Sequence, residues 1–486
     1  MKWPLGRHQR EVKELRERNE ELQARVKELE AENAQLRAEL AASKKHSGNS
    51  SKPPSSDIVK PPSQARRAPG RRKIGGQPGH PRHQRPAFAP DQIDERKVHG
   101  VGVCQGCGSR DLEVLPDPAQ VVQQVELLPK PFRVTEHVVQ ACRCRNCQKV
   151  NTGELPAAIA KTGLIGPRMM GLLIFMKGAM RCSYSAIEEF LDHVLGFKVC
   201  RGYLAKVMVR GSRALEGPVE ELRSLLPSQP WLNVDETGHK DNGKGMWTWC
   251  FRAKEFVLFS IQASRGSEVL LEMLGRQFNG VLGCDYFSAY RKFMGQMRGS
   301  VQFCFAHLIR DLKFLAEHPE PVMQIYAQPI LRAVRRMFHL IHEHVEHPVA
   351  DFQSQLELHK KRIVALAANT ARLSPVRGYV EDHYPEAFNM AERFRKHGDA
   401  YFTFITTPQI GATNNSAEQA LRFVVMDRRA TQGTRSHKGR LFCERIWTAV
   451  GTCRMNKRSI FGYLCEAVTA WAKGLPPPSL LPVDSS

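Results

Sequence analysis

The sequence predicts a multidomain α/β protein: an N-terminal coiled coil, a four-cysteine zinc ribbon, a helical region, and a mixed-sheet core that carries a helical insertion. Three observations predict it. Apolar residues recur at alternating three- and four-residue steps over 10–42, two CxxC pairs lie between 104 and 147, and from 230 short β-rich runs give way to alternating helix and strand. At 486 residues the chain has room for about three folded units.

In the first segment, 1–42, Val12, Asn19, Val26, Asn33 and Leu40 fall at heptad position a, and Leu15, Leu22, Leu29 and Leu36 at d. That is a two-stranded seam, and Asn at a favours a parallel dimer in fixed register. A parallel homodimer would set Glu11 against Arg16, Arg25 against Glu30 and Glu32 against Arg37. The alternative is a single solvated helix, or one packed on its own chain, which would use the stripe without its charged flanks.

Segment 43–98 turns to Ser, Pro, Gly and basic residues, with Arg66, Arg67, Arg71, Arg72 and Lys73 in one cluster. Such composition cannot bury a core. It suits an arm on a nucleic-acid backbone, or else a solubilising linker. The whole chain agrees with the first: 71 Lys and Arg against 49 Asp and Glu leave a net +22, which favours a polyanion such as double-stranded DNA. A membrane partner is not expected, since the longest apolar run, Met169–Met176, ends at Arg168 and Lys177, far short of the roughly 20 residues a span needs. With no apolar signal core at the start, the expected location is the cytoplasm, in association with the nucleoid, where cysteines are reduced or bind metal.

In segment 99–155, Cys104 with Cys107 and Cys144 with Cys147 have the spacing that wraps one side of a tetrahedral Zn2+ each, giving a structural zinc. Cys142 competes with the second pair, and unligated thiols are the alternative. Alternation over 120–128 and 132–141 around Leu-Pro-Lys-Pro predicts a hairpin between the pairs. Segment 156–228 reads as helices. Ser185–Gly196 followed by Val199–Val209 has the form of a helix-turn-helix, with Lys198, Arg201 and Lys206 as DNA contacts, although any helical hairpin shares that form.

Segment 229–308 opens with strands at 231–237, 246–253 and 255–261, the first two joined through Asp241-Asn242-Gly243. A helix at 267–276, a strand ending at Asp285 and another at 301–305 follow. Segment 309–405 is amphipathic helix, read as an insertion, and 406–486 completes the core with a helix introduced by Thr413-Asn-Asn-Ser, a good N-cap. Asp235 and Asp285 each end an apolar strand, where a carboxylate stands at the sheet rim, rigid and accessible. Glu418 opens the late helix, with Ala417, Ala420, Leu421, Val424 and Val425 facing inward and Arg422 and Arg429 on its own side. Three such acids suit two Mg2+ ions about 3.5–4 Å apart, acting on a phosphodiester. Singly, each acid would pass for a turn or first-turn residue.

NSSKPPSSD, GGQPGH, the Cys pairs, VDET, GCDYFSAY, CFAH with Arg310, and NNSAEQALRFVVMDRR occur in this order over nearly the whole chain. Together they resemble the transposases of the insertion sequence 66 family. The resemblance implies a DDE transposase with a ribonuclease-H-like core broken by a helical insertion. It also implies Asp235, Asp285 and Glu418 as catalytic ligands of two Mg2+, or Mn2+, with Arg422, Arg428 and Arg429 at DNA phosphates, and accessory proteins from the same element. His307, in CFAH, matches a family motif and reads equally as a core or a catalytic histidine. Two rivals share parts of this pattern: a dimeric zinc-containing DNA-binding regulator with an inactive core of the same kind, and a ribonuclease-H-like nuclease acting on RNA·DNA hybrids.

Overall fold

A computed structural model describes residues 5–43, 86–116 and 120–482, in two compact units, 62–137 and the remainder. Arg66, Arg67, Arg71, Arg72 and Lys73 lie outside the described residues.

Helix α1 (Leu5–Ser43) runs without interruption over the heptad segment. Its charges pair within the helix, Lys13 with Glu17 and Arg25 with Glu28, while Val12, Leu15, Leu22, Val26, Leu29, Leu36 and Leu40 are all exposed.

The 62–137 unit corrects the predicted hairpin. Among its described residues there is no strand; Val121, Val122, Val125, Leu127 and Leu128 stay exposed. The alternation is real, but among the described residues no element covers either face, and a lone hairpin is marginal in water. Its chain is instead fixed locally, by Gln123 accepting the Phe88 N–H at 2.6 Å and donating to the Phe88 carbonyl at 3.1 Å. In the other unit, pairing occurs beside the second cysteine pair, where β1 (Ala141–Arg143) runs antiparallel to β2 (Val150–Thr152).

Five helices follow: α2 (Ala157–Thr162), α3 (Pro167–Gly178), α4 (Tyr184–His193), α5 (Arg201–Ala214) and α6 (Glu216–Leu225). By length and composition Ala157–Gly178 could cross a membrane. It is broken at Gly163, whose φ is +69°, and Met170, Leu173 and Ile174 of α3 are buried in the protein.

The core sheet contains β3 (Trp231–Asp241), β4 (Lys244–Arg252), β5 (Val257–Gln262), β6 (Val281–Cys284) and β7 (Ser300–Phe303), in the order β5-β4-β3-β6-β7. The first three are antiparallel; β6 and β7 join parallel to β3. Asn242 and Gly243, with φ of 50° and 81°, make the tight turn between β3 and β4. Helices α7 (Ser267–Leu274) and α8 (Ser288–Met294) connect the later strands. The insertion is helical as expected: α9 (Phe305–Ala316), α10 (Pro321–Glu346), α11 (Phe352–Ala368), α12 (Arg377–His383), α13 (Pro385–His397) and α14 (Thr403–Thr406).

The chain closes with α15 (Asn415–Thr431), α16 (His437–Met455) and α17 (Ile460–Ala472). Helix α16 lies along the edge strand. Successive outward N–H groups of β5, on Val257, Phe259 and Ile261, donate to Thr452 (3.2 Å), Thr448 (3.0 Å) and Glu444 of α16. Acceptors spaced four apart on a helix thus meet donors spaced two apart on a strand, and the edge is closed. Gly178 of α3 lets α16 approach: a Cβ there would stand 2.1 Å from Ile446 Cγ1.

Candidate active site

The register of the parallel strands builds the site. Trp231, Leu232 and Asn233 of β3 lie level with Val281, Leu282 and Gly283 of β6. Asp285 follows β6 directly, two residues past the last paired position, and its charge reaches Asp235, two residues past the partner position on β3. Asn233 shares a face with Asp235. Its side chain covers Gly283, where a Cβ would come within 2.4 Å of the amide nitrogen, and it accepts a hydrogen bond from Ser416 Oγ at 3.0 Å.

Ser416 belongs to the start of α15, and further bonds hold that helix end to the sheet. Asn414 occupies the N-cap position but does not cap with its side chain; its Nδ2 donates to the Val234 carbonyl at 2.8 Å. The expected cap is therefore a tether, because the buried carbonyl of β3 competes for the amide. The Asn414 N–H donates to Cys304 Sγ at 3.1 Å and the Phe305 N–H to the Ala412 carbonyl at 3.0 Å. These bonds hold the start of α15, which carries Glu418, to β3 and to the end of β7. Asp235 itself does not end a strand as expected but lies midway along β3, paired with Cys250 of β4, because β3 continues to Asp241. Glu418 Oε1 lies 3.4 Å from Arg310 and 3.6 Å from His307 Nδ1.

Electrostatics shows that the acids share one environment. Burial pushes Asp235 well above the usual carboxylate range, and the charges of Glu236, Asp285 and Glu418 push the same way. Burial likewise raises Asp285, with Glu236 adding, opposed by His307, the Phe287 amide and Arg265. The Asp285 carboxylate accepts from the Phe287 N–H at 2.9 Å, and Asp235 from the Glu236 N–H at 2.9 Å. Glu236, on the opposite face of β3, is buried and answered by Arg265 at 2.7 Å and by the Tyr290 hydroxyl. Among the described residues, the ion-pair contacts of Asp235, Asp285 and Glu418 are those of Glu418 with Arg310 and with His307, where burial disfavours protonation of the imidazole. An oxygen-rich, half-buried set short of positive charge fits a hard divalent cation such as Mg2+.

The remaining predicted residues are dispersed. Arg422 and Arg429 are exposed on α15, while Arg428 is half-buried and donates to Thr237 Oγ1 at 3.3 Å. Lys198 pairs with Asp192 at 3.5 Å and Arg201 with Glu188 at 2.9 Å, across an α4–α5 hairpin that turns at Gly196 (φ +71°). The second helix spans 201–214 rather than 199–209. Lys206 is exposed and lines a groove of about 460 Å³ with Arg210, Arg213 and Lys438. Cys104 and Cys144 each open a tight turn: the Cys104 N–H donates to the Ser109 carbonyl and the Cys104 carbonyl accepts from the Gly108 N–H, and Cys144 pairs in the same way with the Lys149 carbonyl and the Gln148 N–H, through backbone bonds of 2.8–2.9 Å. Amides of Cys107 and Gly106 lower the Cys104 thiol, and those of Cys147 and Asn146 lower Cys144. This favours thiolates. Cys142 lies on β1, outside the second turn.

Sequence reasoning missed Asn233, Glu236, Arg265, Asn414 and Ser416. Period-two alternation with Asp235 would have pointed to Asn233; the others act through contacts far apart in the chain and leave no local signal.

The sequence profile of the transposase IS66 family matches residues 162–440, more than half of the chain, and that of a family of unknown function, DUF6444, matches residues 1–86. Two similar proteins come from Sinorhizobium fredii (strain NBRC 101917 / NGR234). Uncharacterized protein y4hP is 21% identical over 393 residues, covering 76% of this chain and 70% of the relative. Uncharacterized protein y4qI is 24% identical over 409 residues, covering 76% and 68%.

Proposed function

Because the chain belongs to the IS66 family of transposases, we propose that it is a DDE enzyme: a metal-dependent polynucleotidyl transferase that hydrolyses insertion-sequence DNA to free 3′ ends and joins those ends to target DNA. The observation that supports this reading is that the charges of Asp285 and Glu418 both reach the buried carboxyl of Asp235, with Asp285 directly following β6, the parallel neighbour of β3. These three carboxylates would hold two Mg2+ ions, and Mn2+ suits the same oxygen set. Bound there, the ions would supply polarisation of the phosphodiester and an activated oxygen nucleophile.

The chain's own residues position the reactants. Arg310 beside Glu418, together with Arg422, Arg428 and Arg429 on α15, would steady phosphate oxygens. In the first step a water oxygen bonds to phosphorus and the 3′ oxygen of the element leaves as a hydroxyl. In the second that hydroxyl attacks a target phosphorus and displaces another 3′ oxygen, so one P–O bond forms for each that breaks and no covalent enzyme link is needed.

The strand order, three antiparallel then two parallel with an acid on the central strand, supports a ribonuclease-H-like core interrupted by α9–α13. The exposed stripe of α1 supports a parallel homodimer, which would bring two DNA ends together. The CxxC spacing of Cys104 with Cys107 and of Cys144 with Cys147 is the basis for proposing one structural zinc. The α4–α5 hairpin supports DNA contact by Lys198, Arg201 and Lys206, and the basic arm would follow the backbone. Accessory proteins of the element and a nucleoid-associated, cytoplasmic setting complete the reading. The test is strand transfer of labelled element ends with Mg2+: Asp235→Asn, Asp285→Asn and Glu418→Gln should each abolish it, and full activity in any one defeats the assignment.

A further inference from the structure

The sulfur of Cys304, the imidazole of His307 and the carboxylate of Glu418 lie within 4.8 Å of one another, and the phosphodiester chemistry needs only the last. Cys304 follows β7 as the N-cap residue of α9 and His307 stands in the first turn of that helix, three positions on, so both side chains reach the same side. Both are buried, with Cys304 1% and His307 9% exposed. The Cys304 sulfur already accepts the Asn414 N–H at 3.1 Å, a bond that strengthens when sulfur carries charge. His307 Nδ1 is buried without a hydrogen-bond partner, 3.6 Å from Glu418 Oε1. A buried ring nitrogen left unpaired is costly, and an ion between these groups would satisfy it.

We propose that Cys304, His307 and Glu418 form a three-ligand site for a borderline-soft divalent ion, zinc by its chemistry, which overlaps the oxygen set that suits Mg2+ at Glu418 alone. A thiolate with an imidazole selects Zn2+ over hard cations. Thiolate and carboxylate together balance its two charges, and three protein ligands leave the fourth tetrahedral position to water or a phosphate oxygen. Glu418 belongs to both sets, so zinc here withdraws the third acid from Asp235 and Asp285 and opposes Mg2+-supported turnover. The site shares Glu418 with the transposase reading but does not require it, since a catalytically inert DNA-binding protein would take up the ion equally.

The test is Co2+ titration of the full-length protein, wild type against Cys304→Ser, read as a difference spectrum that cancels the other thiolates. A thiolate-to-cobalt charge-transfer band with a tetrahedral d–d envelope is expected in the difference. His307→Asn should weaken Co2+ binding at least about tenfold, and Asp285→Asn should keep the band. Identical wild-type and Cys304→Ser spectra overturn the site. Should Cys304→Ser lose its far-ultraviolet circular dichroism, His307→Asn decides: unchanged cobalt affinity there overturns it as well. Zinc titrated into the Mg2+ reaction should lower transfer at least about tenfold, and undiminished transfer with the site filled overturns the competition. If Asp285→Asn transfers DNA normally while the band is present, the transposase assignment falls and the zinc site stands.

Discussion

The segment up to residue 152 and the segment from 157 onward solve the burial problem in opposite ways. Leu22 and Leu29 of α1 and Val121 and Val122 near the first cysteine turn are all exposed, whereas Leu232 and Val234 of β3, Trp249 of β4 and Trp447 of α16 are sealed in one core. The later segment closes its own apolar surface and even its sheet edge. The earlier one presents an exposed stripe and exposed thiols, which under the proposed reading would gain stability from a second chain or a metal.

The largest expected effect breaks this contrast on the catalytic side. Asp285→Asn should lower Mg2+-dependent strand transfer by about 10³-fold, taking roughly 4 kcal/mol of lost charge stabilisation, while leaving the fold intact by circular dichroism. Asp235→Asn should do the same and also raise the melting temperature of metal-free protein, because a buried charge repelled by Glu236, Asp285 and Glu418 has been removed.

Leu232→Ala should cost about 2–5 kcal/mol in denaturant unfolding. The matching Leu22→Ala should leave that transition unmoved and shift the mass distribution in analytical ultracentrifugation toward monomer. A fall in core stability from Leu22→Ala would show that α1 packs on its own chain. Thr448→Val keeps the shape but leaves the Phe259 N–H unpaired against α16, and should cost about 1–3 kcal/mol in the same assay. Cys104→Ser should remove about one zinc by metal analysis while the melting of the core stays unchanged.

The smallest effect concerns His239. Burial holds its imidazole down to about 4 from an ordinary 6.5, so the unfolded chain takes up a proton first as pH falls. Its contribution is complete above about pH 6.5 and is lost progressively toward pH 4. Melts of His239→Gln should show a flatter acid limb over that window.

Much of this was legible in the sequence because it is local. Asp235 and Asp285 terminate apolar runs, and the heptad of α1 and the CxxC turns are short-range patterns. Boundaries moved by two to five residues: β4 starts at Lys244 rather than 246 and β5 at Val257 rather than 255, while β3 runs on to Asp241 rather than 237 and α5 to Ala214 rather than 209. What failed was decided at a distance. The 120–141 alternation had no surface to close against, and the Asn414 amide went to the carbonyl of Val234, 180 positions away. Cys304 and His307 were visible as CFAH, but only the fold sets them against Glu418.

Glu418 arrives late in the chain, after the whole insertion, and is held by ties from α15 back to β3 and β7. A ribosome must therefore make most of the polypeptide before the third acid exists. On the proposed reading, a message cut short within the insertion would yield a product that keeps α1 and the basic arm but lacks Glu418. If those segments pair and bind DNA as proposed, that fragment would occupy element ends without processing them and act as an antagonist of the full-length protein.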